Sequence, residues 1–173
     1  GAPKHFDGDY FAGRSYVVFG KTGSTAANLS AIAIGDGGFV INGAGVFSHS
    51  GFSVPGSGDI NGDGLADVIV GAPFRPTTGQ SYVVFGKTDG SAVYTSAMAN
   101  RGFVINGQSK NQYSCESVAA AGDVNGDGLS DLIVGAPGSD PAAGSSAGLS
   151  YVVFGKTGGG AVNLSAIDNG SGG

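Results

Sequence analysis

The chain has 173 residues, of which 35 are glycine and only 12% are charged. A net charge of −5 disfavours nucleic acid or an anionic membrane surface as a partner. The one cysteine, Cys115, excludes an intrachain disulfide, and no apolar run approaches the roughly eighteen residues that a membrane span needs. Abundant glycine without a collagen-like period indicates many tight turns between short strands.

Short apolar runs, each bounded by glycine, recur along the chain in the same order. The run Tyr-Val-Val-Phe-Gly-Lys-Thr at residues 16–22 recurs at 82–88 and 151–157. Gly-Phe-Val-Ile-Asn-Gly at 38–43 recurs at 102–107, and Gly-Ala-Pro occurs at 1–3, 71–73 and 135–137. Repetition of this kind predicts stacked copies of one unit of about 64 residues.

Each unit contains four predicted strands, which we letter A to D. In the complete unit, strand A runs from about 51 to 58, strand B from 67 to 71, strand C from about 81 to 85 and strand D from about 103 to 106. The Val68-Ile69-Val70 run of strand B is apolar throughout, which is typical of a central strand covered on both faces. Residues 28–34, which precede an earlier strand D, predict a short helical turn.

Repeats of this type must stack, because four antiparallel strands with an apolar central pair cannot bury both faces alone. Radial stacking gives a β-propeller, whereas a linear β-solenoid usually has repeats of about 20–30 residues. We therefore predict an all-β fold built from propeller blades of four antiparallel strands.

The strand order divides the chain into three predicted units. They are a partial blade with strands C and D (1–50), a complete blade (51–107) and a blade that lacks its strand D (108–173). Since a closed propeller needs about four or more blades, we expect a piece of a longer repeat protein, or a protomer that completes its sheets with other copies.

Two acidic loops follow the predicted A strands. Their sequences are DINGDGLAD at residues 59–67 and DVNGDGLSD at 123–131. Oxygen ligands at loop positions 1, 3, 5, 7 and 9, with the seventh supplied by a backbone carbonyl, suit a hard cation such as Ca²⁺. Three carboxylates this close would repel one another without a cation. The alternative is a pair of Asn/Gly turns that bind no metal.

The order Gly-Asp-x-Asn-Gly-Asp-Gly-x-x-Asp-x-x-Val-Gly-Ala-Pro, present at 58–73 and 122–137, resembles the FG-GAP repeat of integrin α-subunit β-propellers and their bacterial relatives. The resemblance covers nearly the whole chain. It implies that each repeat is a propeller blade and that the loop between its first two strands binds a structural Ca²⁺. The implied ligands, with the leucines contributing backbone carbonyls, are Asp59, Asn61, Asp63, Leu65, Asp67, Asp123, Asn125, Asp127, Leu129 and Asp131.

Two departures from related patterns refine this expectation. An EF-hand loop would need a bidentate Glu at position 12, where this chain has Val70 and Val134, so we expect hairpin loops and no helix–loop–helix. The family's aromatic–glycine pair before strand A is inverted at 51–52 and replaced by Cys115 and Glu116 in the next repeat. We expect altered packing at that blade edge, with the metal loop intact.

Other motifs predict no chemistry. Asp7-Gly8-Asp9 lacks the rest of the loop pattern and is predicted to be a turn. Gly-Lys-Thr after each strand C lacks the glycine spacing of a phosphate loop and is also predicted to be a turn. A catalytic pocket would require the residues that break the repeat pattern to converge on one face; these are Arg75, His49, Lys110 and Glu116.

The sequence predicts a non-enzymatic, calcium-binding propeller segment of an extracellular or cell-surface protein. Its expected role is a scaffold for adhesion or for a protein or glycan ligand that the sequence does not identify. One alternative is an accessory or catalytic propeller of a secreted polysaccharide- or lipid-cleaving enzyme. Another is a unit that assembles with copies of itself through open sheet edges.

Overall fold

The computed structural model describes residues 1–5, 11–74, 78–108, 113–140, 144 and 147–170. Within these ranges the strands are β1 (Arg14–Val18), β2 (Gly38–Asn42), β3 (Gly56–Gly58), β4 (Asp67–Ala72), β5 (Gln80–Val84), β6 (Val93–Tyr94), β7 (Gly102–Asn106), β8 (Ser117–Gly122), β9 (Asp131–Ala136), β10 (Leu149–Val153) and β11 (Val162–Asn163). The helices are α1 (Leu29–Ala33), α2 (Leu164–Asp168) and a 3₁₀ turn (Ala99–Arg101). The all-β prediction is confirmed. The predicted Asp7–Asp9 turn, Arg75 and Lys110 lie outside the described residues.

The middle sheet holds strands A to D of one blade side by side. Its antiparallel strand order is β3–β4–β5–β7, with Ile69 opposite Val83 and Val83 opposite Phe103. Strands B, C and D begin and end within one residue of their predicted bounds. The hydrophobic pattern therefore predicted the bounds of the inner strands correctly.

Strand A is shorter than predicted, because only Gly56–Gly58 pair as a regular strand. The preceding residues still run beside strand B: the N–H of Gly51 donates to the carbonyl of Gly71 at 3.0 Å, and the N–H of Gly71 donates to the carbonyl of Ser53 at 2.8 Å. Pro55 has no N–H to continue the ladder, and the pairing shifts between Gly56 and Gly58. The equivalent β8 contains no proline and is six residues long.

The first and third sheets repeat parts of the middle one. β1 and β2 pair like strands C and D, and Ala2 forms one bridge to Arg14. β8, β9 and β10 pair like strands A, B and C. The three sheets are blades of a partial β-propeller, and the described residues form no closed ring.

Two short strands join neighbouring blades. β6 lies parallel to β2, and β11 lies parallel to β7. Each strand D therefore has beside it a two-residue strand that belongs to the following repeat. The sequence did not predict these strands, since two residues are too few for an alternation pattern. The predicted helical turn at 28–34 is confirmed by α1, whose Asn28 carboxamide accepts from the N–H of Ser30 at 3.0 Å. No helix within the described ranges has the length and apolar character needed to cross a membrane.

Alternation along strand B sends successive side chains into two different cores. Ile69 and Val83 are fully buried between the middle and third sheets, whereas Val70 and Val84 are fully buried between the middle and first sheets. Burial of a side chain of this size contributes about 1.5–3 kcal/mol. The middle sheet is covered on both faces, which accounts for its continuous apolar runs.

The Gly-Lys-Thr segments are turns, and those at 86–88 and 155–157 also contact the neighbouring blade. The ammonium of Lys87 lies 4.6 Å from the centre of the Phe39 ring, and that of Lys156 lies 4.4 Å from the Phe103 ring. Each ammonium also donates to a backbone carbonyl four residues later in its own turn. These two lysines thus form cation–π contacts between neighbouring blades.

Candidate metal centre

The two acidic loops join β3 to β4 and β8 to β9. Each loop turns through two glycines with positive φ, Gly62 (+78°) and Gly64 (+84°) in the first and Gly126 (+79°) and Gly128 (+90°) in the second. Glycine adopts this left-handed backbone without the steric cost that a Cβ brings. Both loops are therefore β-hairpin loops, as the missing position-12 glutamate predicts.

The carboxylate of Asp59 organises the first half of its loop. One oxygen accepts from the N–H groups of Gly62 at 2.7 Å and Asp63 at 3.1 Å, and the other accepts from the N–H of Gly64 at 2.8 Å. These bonds, led by that from Gly64, lower the pKa of the Asp59 carboxyl below its ordinary value. Asp59 therefore stays ionised at neutral pH, in the form that binds a cation.

Asn61 and Asp63 lie together inside the turn. The Asn61 carboxamide oxygen accepts from the N–H of Asp63 at 3.0 Å, while its Nδ2 donates to the Asp63 carboxylate at 2.9 Å. The second Asp63 oxygen accepts from the N–H of Leu65 at 2.8 Å. These local bonds bring the third and fifth ligand positions next to each other.

Asp67 lies at the base of the loop and is 1% exposed. Its two oxygens accept from the N–H of Ile60 and the N–H of Gly86, both at 2.7 Å. Burial raises the pKa of Asp67, and the negative charges of Asp63 and Asp59 act in the same direction, against the lowering effect of the two N–H donors. Asp67 therefore ties its own loop to the turn that follows strand C.

The second loop has the same internal hydrogen bonds. Seven bonds within the first loop have a counterpart 64 residues later, the bond from Gly86 to Asp67 corresponds to that from Gly155 to Asp131, and no distance differs by more than 0.1 Å. Asp131, for example, accepts from Val124 at 2.7 Å and from Gly155 at 2.8 Å. The two loops, which share most of their sequence, therefore adopt the same arrangement in two different blades.

The donor chemistry of the loops fits a hard cation, since each offers carboxylate and carboxamide oxygens. A carboxylate oxygen that accepts one hydrogen bond keeps a lone pair for a metal. Among the residues with described positions, however, no three carboxylate, imidazole or thiolate groups form a cluster able to hold a metal ion. The ten-residue ligand set from the sequence stays a prediction.

Contact between the loops was not predicted. The N–H of Ser130 donates to the carbonyl of Asp59 at 2.8 Å, across the interface between the middle and third sheets. Ile60 is fully buried in the core between these sheets, whereas Val124 at the same position of the second loop is 54% exposed. Ile60 and Val124 occupy the same position of the repeat, so the sequence predicts the same burial for both. Their burial differs only because a neighbouring blade covers Ile60.

Cys115 changes the blade edge less than expected. Its N–H donates to the carbonyl of Gly135 at 3.0 Å, which matches the bond between Gly51 and Gly71 one repeat earlier. Cys115 adopts φ +71° where Gly51 adopts +92°, and its side chain is fully buried between the blades. Burial raises the pKa of the thiol to about 11. The expected alteration is confined to the side chain, and the backbone pairing is kept.

An exposed aromatic cluster spans the three blades. Its adjacent ring centres lie 5.1–6.3 Å apart. Four of its residues have φ between +50° and +57°, a costly conformation for an aromatic residue. We call this cluster the aromatic surface; it consists of Phe11, Phe47, His49, Phe52, Phe74 and Tyr113.

The aromatic surface lies in the loops where the sequence contains no recognisable binding motif. Its members come from the connections between strands B and C and between strands D and A, so sequence spacing does not group them. Of the residues that break the repeat pattern, His49 stands in this cluster, 5.1 Å from Phe74 between ring centres. The N–H of Glu116 donates to the carbonyl of Tyr113 at 3.1 Å.

A family model for the FG-GAP repeat matches residues 51–95 and 116–153, and these ranges contain both acidic loops. The chain belongs to the FG-GAP repeat family. Human integrin alpha-E is 31% identical to it over 130 residues, which is 71% of this chain and 10% of that protein. Integrin alpha-3 of Cricetulus griseus is 35% identical over 83 residues, or 46% of this chain and 7% of that protein.

Integrin alpha pat-2 of Caenorhabditis elegans is 36% identical over 88 residues, which is 50% of this chain and 7% of that protein. The FG-GAP chain therefore spans a tenth or less of the length of these curated relatives. Together with the blade-like sheets, these similarities identify an integrin α-type propeller scaffold.

Proposed function

We propose that this FG-GAP chain is a calcium-stabilised, non-enzymatic propeller scaffold for adhesion or ligand binding outside the cell. The observation that carries the proposal is the pair of acidic loops with the same seven internal hydrogen bonds. Millimolar extracellular Ca²⁺ suits oxygen-ligand loops of modest affinity. Similarity to integrin alpha chains supports the adhesive role.

In the first loop, the side chains of Asp59, Asn61, Asp63 and Asp67 and the carbonyl of Leu65 would hold Ca²⁺. In the second loop the corresponding groups belong to Asp123, Asn125, Asp127, Leu129 and Asp131. Bound Ca²⁺ supplies positive charge that offsets the repulsion among three carboxylates. Because Ca²⁺ would bind the folded loop in preference to the unfolded chain, its binding free energy would add to folding stability.

Calcium titration by calorimetry tests this proposal. We expect two equivalents of Ca²⁺ to bind, and one equivalent to be lost in each of Asp63→Ala and Asp127→Ala. The matched control is Asp36→Ala, which removes an exposed carboxylate outside both loops and should leave two equivalents. The absence of saturable binding at millimolar Ca²⁺ would contradict the calcium proposal.

One exposed sheet face favours a further blade as a partner of this scaffold. On the third sheet, Ile133 and Val152 are 40% and 38% exposed. Their equivalents in the middle sheet, Ile69 and Val83, are fully buried because the third sheet covers them. The open face therefore repeats one side of an interface that the structure already contains, and another FG-GAP blade fits it.

A second copy of the chain is the occupant that can be tested directly. Light scattering should give a mass that increases with concentration, and Val152→Asp should return it to that of one chain. Val18→Asp is the control for an added charge at an exposed valine of the first sheet. A single-chain mass at all concentrations would exclude a second copy as the occupant.

A further inference from the structure

The two acidic loops are in direct contact. Ser130, at the eighth position of the second loop, donates its N–H to the carbonyl of Asp59, the first residue of the other loop. Ser130 is flanked by Leu129 and Asp131, which are both proposed ligands of the second loop. One hydrogen bond of 2.8 Å therefore connects the two loops that contain the candidate sites.

The contact is closely packed as well as hydrogen-bonded. A Cβ added to Gly62 would lie 3.0 Å from Cδ2 of Leu129, and one added to Gly58 would lie 2.4 Å from Oγ of Ser130. A methyl group at either point would require the Leu129 or Ser130 side chain to shift. Leu129 and Ser130 of the second loop therefore lie directly against the first loop and the residue before it.

We propose that the two calcium loops bind Ca²⁺ cooperatively through Leu129 and Ser130. This inference rests on the proposed calcium function. If the Leu129 carbonyl and the Asp131 carboxylate bind Ca²⁺, the backbone between them becomes more ordered, including the Ser130 N–H that donates to the Asp59 carbonyl. The first Ca²⁺ to bind then loses most of the conformational entropy of this shared segment. The second Ca²⁺ loses less and binds more tightly.

Linkage makes this effect reciprocal: each loaded loop raises the affinity of the other by the same factor. Coupling between sites typically changes affinity by about 5–150-fold. We therefore expect a factor of about five or more. Independent hairpin loops would give a factor of one.

Calorimetric titration of three proteins measures the factor. Asp127→Ala gives the association constant of the first loop alone, and Asp63→Ala gives that of the second. The overall two-site constant of the unsubstituted chain should exceed the product of these constants by about fivefold or more. A ratio of one with two equivalents bound would overturn cooperativity and leave the calcium function standing. No saturable binding would overturn both.

A matched pair of leucine variants tests the contact itself. Leu129→Ala keeps the backbone carbonyl but removes the Cδ2 atom that lies against Gly62. Leu65→Ala makes the same truncation in the first loop, where the Leu65 Cβ lies against Gly86 of its own blade. Repeating the three titrations in each background should give a ratio near one for Leu129→Ala and an unchanged ratio for Leu65→Ala.

An unchanged ratio in Leu129→Ala would overturn the role assigned to this contact. Far-UV circular dichroism at the titration temperature checks that each variant is folded. The ratio for the unsubstituted chain does not depend on the leucine variants, so it tests cooperativity even if Leu129→Ala does not fold.

Discussion

The two acidic loops have the same internal geometry but different surroundings. Within each loop, the first aspartate accepts three backbone N–H bonds and the last aspartate accepts two. The first loop is also covered by the third sheet, which buries Ile60 completely, whereas Val124 of the second loop is 54% exposed. The two loops therefore turn in the same way, while the neighbouring blade determines how much of each is buried.

The largest predicted difference between the loops concerns their second residue. Ile60→Ala should lower the free energy of unfolding by about 3 kcal/mol, because it leaves a cavity between two sheets. Val124→Ala should change it by about 0.5 kcal/mol or less, since water already surrounds that side chain. Urea denaturation measures both values. Equal losses would show that the neighbouring blade does not support the first loop.

The next largest difference concerns the last aspartate. Asp67→Ala should cost about 2 kcal/mol, because the buried N–H of Ile60 loses its acceptor. Asp131→Ala should cost less, since the N–H of Val124 is only partly buried and can reach water. Urea denaturation in EDTA separates this effect from metal binding.

Asp67→Asn is the control, because it keeps one acceptor oxygen and should recover part of the loss. Equal costs for Asp67→Ala and Asp131→Ala would mean that burial of the Ile60 N–H has no influence on stability.

Much of the fold could be predicted from the sequence. Strand B was recognisable because Val68, Ile69 and Val70 are apolar in succession, and the hairpin loop followed from Val70 at position 12. Strand A was predicted too long, because Pro55 and the bulge before Gly58 interrupt its ladder. The recurring apolar runs made the repeat units and their inner strands predictable, because strands B, C and D each have a distinct sequence pattern.

Features that depend on the stacking of blades could not be predicted. β6 and β11 are too short for a pattern, and their pairing depends on the strand D of the preceding blade. Burial of Ile60 and the bond from Ser130 to Asp59 likewise arise only after the sheets pack. The aromatic surface joins residues from several connections, so no local motif marks it.

A small effect on stability is predicted at the aromatic surface. Phe74 is 44% exposed and contacts three rings, so Phe74→Ser should cost about 1 kcal/mol or less. It should nevertheless lower the fluorescence of a hydrophobic dye bound to the folded chain, because the apolar patch is interrupted. Ile34→Ser, an exposed control outside the cluster, should leave dye binding unchanged. Equal dye binding by all three proteins would contradict a continuous aromatic surface.

Calcium-dependent melting tests the central claim most directly. At a Ca²⁺ concentration 100 times the dissociation constant, each loaded loop should add about 2.7 kcal/mol to stability. We expect the melting temperature in millimolar Ca²⁺ to exceed that in EDTA by roughly 5 °C or more. The combined Asp63→Ala and Asp127→Ala variant should melt at the same temperature in both buffers. Identical melting of the unsubstituted chain in Ca²⁺ and in EDTA would contradict a calcium-stabilised propeller.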